Sequence, residues 1–410
     1  MKGLLTIFFL FSFAFVMGNR IVVGKNSSTT SLRKAIESAK NGDTILLNKG
    51  VYKEGNIVTD KSIHLIGIDN PVLDGENKNE ILTLAGKSVT VRGVHFANAG
   101  YSSMNDYAAL KIIDATNVTI EGNTFTNAAF AIHIANSTYC TIRNNTIRGN
   151  NKSEHSSGNG IHLWKCSNMM IDRNSIQGHR DGIYLEFVTH STIQRNLSER
   201  NIRYGLHFMF SHNDTYFKNI FKNNGAGVAV MYSKSVLMDG NVFEKNWGPN
   251  SYGILLKDIS NSHIRNNRFI QNTIAIHMEG SSRIDVQRNT FKGNGWALKV
   301  QASCDDNVFS HNNFYGNSFD VATNGTMMLN KFSTNYWDRY DGYDLNKDGL
   351  GDIPYHPVSM FSMIVEQSPT SLMLLRSFMS ALLDKAEKAI PSLTPENLVD
   401  NNPRIKPNDL

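Results

Sequence analysis

Cysteine is scarce in this chain of 410 residues. Its three thiols, Cys140, Cys166 and Cys304, are too few and odd in number for a disulfide framework. They read as buried small side chains, with a Cys140 to Cys166 contact left open. Clustered positive charge is also missing: the formal net charge is +5 and the pI near 8.9, yet no run of five or more basic residues and no basic helix occurs. That argues against nucleic acid as a partner. No apolar run reaches the roughly 20 residues that a bilayer requires. The stretch Leu4 to Val16 holds 13; it follows Lys2 and ends in Gly18-Asn19, the pattern of a signal peptide spanning residues 1–19. Removal of that segment would place the mature chain outside the cytoplasm. No cysteine follows the apolar stretch, so a lipid anchor is not indicated.

Asparagine, in contrast, is abundant and periodic. Residues Asn123, Asn145, Asn174, Asn196, Asn219, Asn241, Asn267, Asn289 and Asn312 are spaced by 22, 29, 22, 23, 22, 26, 22 and 23 residues. The two longer intervals absorb polar insertions near 150–157 and 247–251. Each period also carries a small residue followed by apolar, variable and apolar positions, as in Gly160-Ile161-His162-Leu163, Gly182-Ile183-Tyr184-Leu185 and Gly205-Leu206-His207-Phe208. Alternation with period two buries one face of each strand. Coiling three such short strands per period stacks equivalent positions about 4.8 Å apart. The expected fold is therefore all-β, a right-handed single-stranded parallel β-helix with coils of about 22 residues. The asparagines are expected at its corners, accepting left-handed backbone and bonding their own main chain.

Ser31 to Lys40 places Leu32, Ala35, Ile36 and Ala39 on one helical face, which suits a cap on the open end of a solenoid. The expected layout is a signal peptide at 1–19, an N-terminal cap at 20–60, β-helix repeats at 61–331 and an Asp- and aromatic-rich motif at 332–356. A helical docking segment at 357–410 completes it. Within that segment Ser371 to Ala389 reads as one amphipathic helix, which either closes the solenoid or docks on a partner.

Stacking the repeats aligns their outward positions into columns. One column runs His133, His162, Tyr184, His207, Ala229, Leu255, His277 and Lys299; the next runs Ala135, Trp164, Glu186, Met209, Met231, Lys257, Glu279 and Gln301. Where the columns meet, His207, Met209 and Met231 supply one imidazole and two thioethers. Such soft donors suit Cu+ held transiently. Ala229 leaves room for an ion, Tyr184 and Trp164 shield it, and Glu186 stabilises the cation or orients His207. The plain alternative is a packed sheet face that binds nothing. A second constellation, Asp344, Asn346, Asp348 and Asp352 with Gly349 at the turn, has the core of a calcium loop. Its twelfth position is Tyr355 instead of Glu, so a structural Ca2+ and a metal-free Asp-rich turn both remain open.

The repeats Gly160-Ile-His-Leu-Trp164, Gly182-Ile-Tyr-Leu-Glu-Phe187 and Tyr204-Gly-Leu-His-Phe-Met209, followed by Asn335-Tyr-Trp-Asp338, Tyr340-Asp-Gly-Tyr-Asp344, Asn346-Lys-Asp-Gly349, Gly351-Asp352 and Pro354-Tyr355, resemble the NosD family across nearly all of the mature chain. That resemblance implies a periplasmic accessory protein, not an enzyme, that works with the ATPase and membrane subunits of an ABC transporter. It also implies a copper chaperone as donor and nitrous oxide reductase as recipient, with membrane contact made only through the partner. The competing class is a β-helix polysaccharide lyase or glycosidase, which needs two carboxyl groups roughly 5 to 9.5 Å apart. Glu186 and Glu279 are separated by several coils; Asp172 with Asp181, and Asp305 with Asp306, stay open as pairs.

Overall fold

Three short strands per coil assemble into three parallel sheets of 14, 12 and 13 strands, each strand pairing with its equivalents in the coils before and after. The computed structural model describes residues 18–102, 104–150, 157–325, 329–390 and 398–410; most of the expected signal peptide lies outside them. The molecule is a right-handed parallel solenoid of about 13 turns with coils of about 23 residues, as the repeat predicts.

Inward positions form continuous apolar ladders. Phe221, Phe243, Phe269, Phe291, Phe314 and Trp337 stack ring on ring with centroids 5.5, 4.8, 4.9, 4.7 and 4.0 Å apart. Each is fully buried, and offset stacking at these distances adds to the hydrophobic gain of burial. The glycine that opens the longer strands is set by close approach: a Cβ on Gly227 would lie 2.5 Å from the carbonyl oxygen of Gly253 in the next coil.

The asparagine column works differently from expectation. The side chains are buried and bond chiefly to neighbouring coils, with a local main-chain bond at Asn196, whose Nδ2 also donates to Gln194 O at 2.9 Å. Asn196 Nδ2 donates to Asn219 Oδ1 at 3.0 Å, and Asn219 Nδ2 to Asn241 Oδ1 at 3.0 Å. The left-handed corner belongs to the residue just before each asparagine: Arg195, Lys218 and Arg288 all have φ of 53°. The ladder continues past Asn312 through Asn335. A second ladder runs through Asn201, Asn224, Asn246, Asn272, Asn294 and Asn317.

Both ends depart from the expected boundaries. Arg20–Val23 pairs with Thr44–Leu47, which pairs with His64–Gly67, so coil strands already run through 20–60. The cap is an insertion within that stretch, helix α1 (Leu32–Ser38), which buries Leu32, Ala35 and Ile36. The Glu54 carboxylate accepts from the Leu32 and Arg33 amides at 2.7 and 2.9 Å, where the helix N-terminus favours negative charge.

At the other end the single helix expected over Ser371 to Ala389 is broken. Helix α2 (Met360–Gln367) and a 3-10 turn (Pro369–Leu374) precede α3 (Phe378–Ala389). The break falls at Arg376, with φ of 63°, before Ser377, whose hydroxyl caps α3. α2 packs Phe361 and Val365 onto Phe319. Beyond the helices the chain returns to the solenoid: Asp400 bridges to Phe332 and Arg404 to Tyr336. Asp400 Oδ2 accepts from Asn335 N, Asn335 Nδ2 and Trp337 Nε1 at 3.1, 3.0 and 3.1 Å. It thereby satisfies the last rung of the asparagine ladder. The segment 357–410 is thus an end cap in α2 and the 398–405 return, while α3 leaves Phe378, Met379 and Leu382 at 82, 48 and 47% exposure. The three cysteines are buried free thiols.

Candidate functional site

The outward columns stand in the register that the repeat predicts. His133, His162, Tyr184, His207 and Ala229 are successive partners in strands Phe130–Ala135, Asn159–Trp164, Asp181–Glu186, Tyr204–Met209 and Ala226–Met231. Trp164, Glu186, Met209 and Met231 are partners in the same way. Parallel strands lie about 4.8 Å apart, so Met209 and Met231 are immediate neighbours. His207 lies two residues from Met209 on the same face.

This face is not the open sheet surface that the sequence suggests. His162 and His207 are buried, Ala229 is fully so, and Tyr184, Glu186, Trp164, Met209 and Met231 are half-buried. Aromatic rings close the gaps: Tyr184 and Tyr204 each hold their ring centroid 4.8 Å from that of His207. Trp164 is covered by the Lys165 ammonium, 4.3 Å above its ring.

The acid placed against His207 is Asp181, not Glu186. Asp181 is fully buried, and its Oδ2 lies 3.6 Å from His207 Nδ1 and 3.7 Å from Arg180 Nε. Its Oδ1 accepts the Tyr204 amide at 3.3 Å. Glu186 instead interacts with the Tyr184 hydroxyl, and burial followed by the Glu186 and Asp181 charges pushes that phenol up to about 12. Asp181 opens its strand, one outward position before Tyr184. Carrying the column analysis to a third outward position, Asn159, Asp181 and Tyr204, would have found it.

Neither ring nitrogen of His207 has a hydrogen-bond partner, although both are buried. Buried polar atoms are normally paired. One imidazole nitrogen facing a buried carboxylate and the other uncommitted is the arrangement in which a carboxylate fixes the tautomer of a metal-binding histidine.

The Asp-rich loop turns its carboxylates onto its own amides. Asp344 Oδ1 and Oδ2 accept from Asp348 N and Gly349 N at 3.2 and 2.9 Å, Asp348 Oδ1 from Leu350 N at 2.8 Å, and Asp352 Oδ2 from Leu345 N at 2.7 Å. Asn346 Oδ1 accepts from Asp348 N at 3.1 Å. These bonds use the D-x-N-x-D-G spacing to brace the turn.

Two of the carboxylate pairs of the carbohydrate alternative, Asp172 with Asp181 and Glu186 with Glu279, are separated. Asp172 ends a strand of a different sheet from Asp181 and is taken by Arg195 Nε at 2.8 Å and Arg173 at 3.1 Å. Glu279 pairs with Lys257 at 3.6 Å.

Residues 143–342 match the model of a family described as periplasmic copper-binding protein (NosD). The chain is 28% identical over 379 residues to the probable ABC transporter binding protein NosD of Pseudomonas aeruginosa, covering 86% of each chain. Against the protein of the same name from Stutzerimonas stutzeri the identity is 25% over 381 residues, covering 88% of this chain and 86% of that one. Among solved structures, the catalytic domain of a GH87 α-1,3-glucanase in complex with nigerose superposes with a TM-score of 0.54 at 13% identity, over 78% of this chain and 69% of that one. At that identity the likeness is one of fold alone.

Proposed function

Because the chain belongs to the NosD family, we propose that it is a periplasmic copper-carrying partner of an ABC transporter, and that the copper it passes on serves assembly of the copper centre of nitrous oxide reductase. The single observation that carries this reading is the buried His207 beside the Met209 and Met231 pair, with neither imidazole nitrogen hydrogen-bonded. Thioether and imidazole donors favour Cu+ over hard cations. Asp181 Oδ2 faces Nδ1 at 3.6 Å and leaves Nε2 for the ion, while Tyr184 and Trp164 limit water on the preceding coils. Only three neutral donors are offered, which suits an ion that is cargo and must leave. A copper chaperone upstream is part of the same reading, as is export through the segment 1–19.

Among the described residues no helix is long and apolar enough to cross a membrane. Contact with the transporter's membrane subunit is assigned to α3, whose Phe378, Met379 and Leu382 stay exposed beyond the end cap. Replacing these three by serine in a host with the transporter and reductase should abolish co-purification with the transporter. It should leave the solenoid's circular dichroism unchanged and the reductase short of copper. Undiminished co-purification would remove α3 from the interface. A fully copper-loaded reductase in a strain lacking this chain would overturn the function itself.

A further inference from the structure

Two coils before His207, the same face carries a second group of donors. His133 and His162 are direct partners on adjacent strands, with ring centroids 4.7 Å apart and planes 23° from parallel. Phe130 walls the pair at 6.1 and 5.7 Å. Asp106 reaches them from the segment that links His95–Ala97 to Ala108–Ile113, and one ligand atom from each of the three residues lies within 4.8 Å of the others. His162 is only 8% exposed, yet neither of its ring nitrogens has a hydrogen-bond partner, and His133 Nδ1 is likewise buried and unpaired. A neutral imidazole carries one donor and one acceptor, and leaving both unmet in a buried ring is unfavourable. A pair of stacked histidines with orphaned nitrogens, facing a carboxylate, is therefore poorly explained as packing.

We infer that Asp106, His133 and His162 form a binding site for a divalent transition-metal ion, Zn2+ or Cu2+, separate from the Cu+ site proposed at His207. Two imidazoles and one carboxylate make a borderline donor set: too nitrogen-rich for Ca2+ or Mg2+, and lacking the thioethers that select Cu+. Three protein ligands leave a coordination position open for water or an exogenous group. The histidines are fixed by their strands, and Asp106 on an exposed segment has the freedom to close the last distance. Burial lowers the affinity of both imidazoles for protons, His162 to about 3, so lone pairs are available at neutral pH. The neighbouring cation in the column, Lys111, is engaged by Glu80 at 2.9 Å. Tyr184 stands between His162 and His207, 4.8 Å from each ring, which keeps the two sites apart.

The test is titration of the untagged, metal-stripped full chain with Zn2+ and Cu2+ against a chromophoric chelator, with Co2+ as a spectroscopic reporter. The parent should bind one tight equivalent whose Co2+ complex absorbs in the visible. Asp106→Asn, on the exposed segment, and His133→Phe, which keeps the ring stack and removes the donor, should each weaken it at least 10-fold. Cu+ affinity should stay unchanged in both variants, so this proposal and the Cu+ site fail independently. Absence of a tight divalent equivalent in the parent, or equal affinity in the parent and both folded variants, would overturn the site.

Discussion

Asn219→Ala is expected to lower the unfolding free energy by roughly 3 to 6 kcal/mol, as measured by urea denaturation followed by circular dichroism. Asn219 is fully buried. Its Oδ1 accepts from Asn196 N and Nδ2 at 2.9 and 3.0 Å, and its Nδ2 donates to Ile193 O and Asn241 Oδ1 at 2.9 and 3.0 Å. Alanine removes all four bonds and strands at least the Asn196 amide and the Ile193 carbonyl away from water, each costing about 1–3 kcal/mol. The neighbouring pair Asn223-Asn224 supplies the control. Asn223 is exposed with φ of 54°, so Asn223→Gly should fall within about 0.5 kcal/mol of the parent, because glycine accepts left-handed backbone freely. A loss at position 219 no larger than that at 223 would mean that the amide ladder contributes little.

Asp214→Asn should stabilise the protein strongly at pH 8 and hardly at all at pH 4. Asp214 is 1% exposed. Its Oδ1 accepts the Ser191 amide at 2.8 Å, and its Oδ2 has no partner. Burial pushes this carboxyl up to about 8 from an ordinary value of 3.8, opposed only in part by the Ser191 amide. The folded state therefore holds a proton that the unfolded chain releases above pH 3.8. Stability is full below that pH and is lost progressively as pH rises through the folded value near 8. At about 1.4 kcal/mol per unit, the loss by pH 8 reaches up to about 5 kcal/mol. Asparagine is uncharged throughout, and a later coil shows that it fits: Asn307 accepts the Ile284 amide at the equivalent position and donates to Ser281 O at 3.0 Å. Melting temperatures of parent and variant across pH 4 to 8 should diverge with rising pH. Parallel curves would show that Asp214 titrates as an ordinary carboxylate.

The coil, its register and both outward columns were legible because a period of 22 or 23 residues leaves one way to stack the G-I-x-L strands. What the period does not reveal is which way a polar side chain points. The asparagines were assigned to corners correctly, but their backbone role falls on Arg195, Lys218 and Arg288. These residues hold left-handed geometry against the usual Cβ–carbonyl crowding, with their side chains exposed to solvent. The amides themselves face inward, where only another amide or Asp400 satisfies them. Asp400 was invisible for a related reason: it closes the ladder from 65 residues beyond Asn335, a contact with no periodic signal. The amphipathic pattern over Ser371 to Ala389 was real, yet apolar spacing alone carries no warning of a break. The break is made at Arg376, in left-handed backbone, and at Ser377, which caps the helix that follows. At the site, the register of His207, Met209 and Met231 followed from the repeat. Burial of that face did not, since it depends on aromatic side chains folding over the sheet, and the Asp181 contact lies in a third outward column that the two columns leave out.

Copper carriage is tested most directly by anaerobic Cu+ titration against a competing chelator, comparing the parent with a His207→Ala, Met209→Ala, Met231→Ala variant whose fold is verified by circular dichroism. The account predicts one Cu+ equivalent in the parent that is weakened at least 10-fold in the variant, with Zn2+ binding at Asp106, His133 and His162 retained. Equal Cu+ affinity and stoichiometry in the two proteins would contradict it.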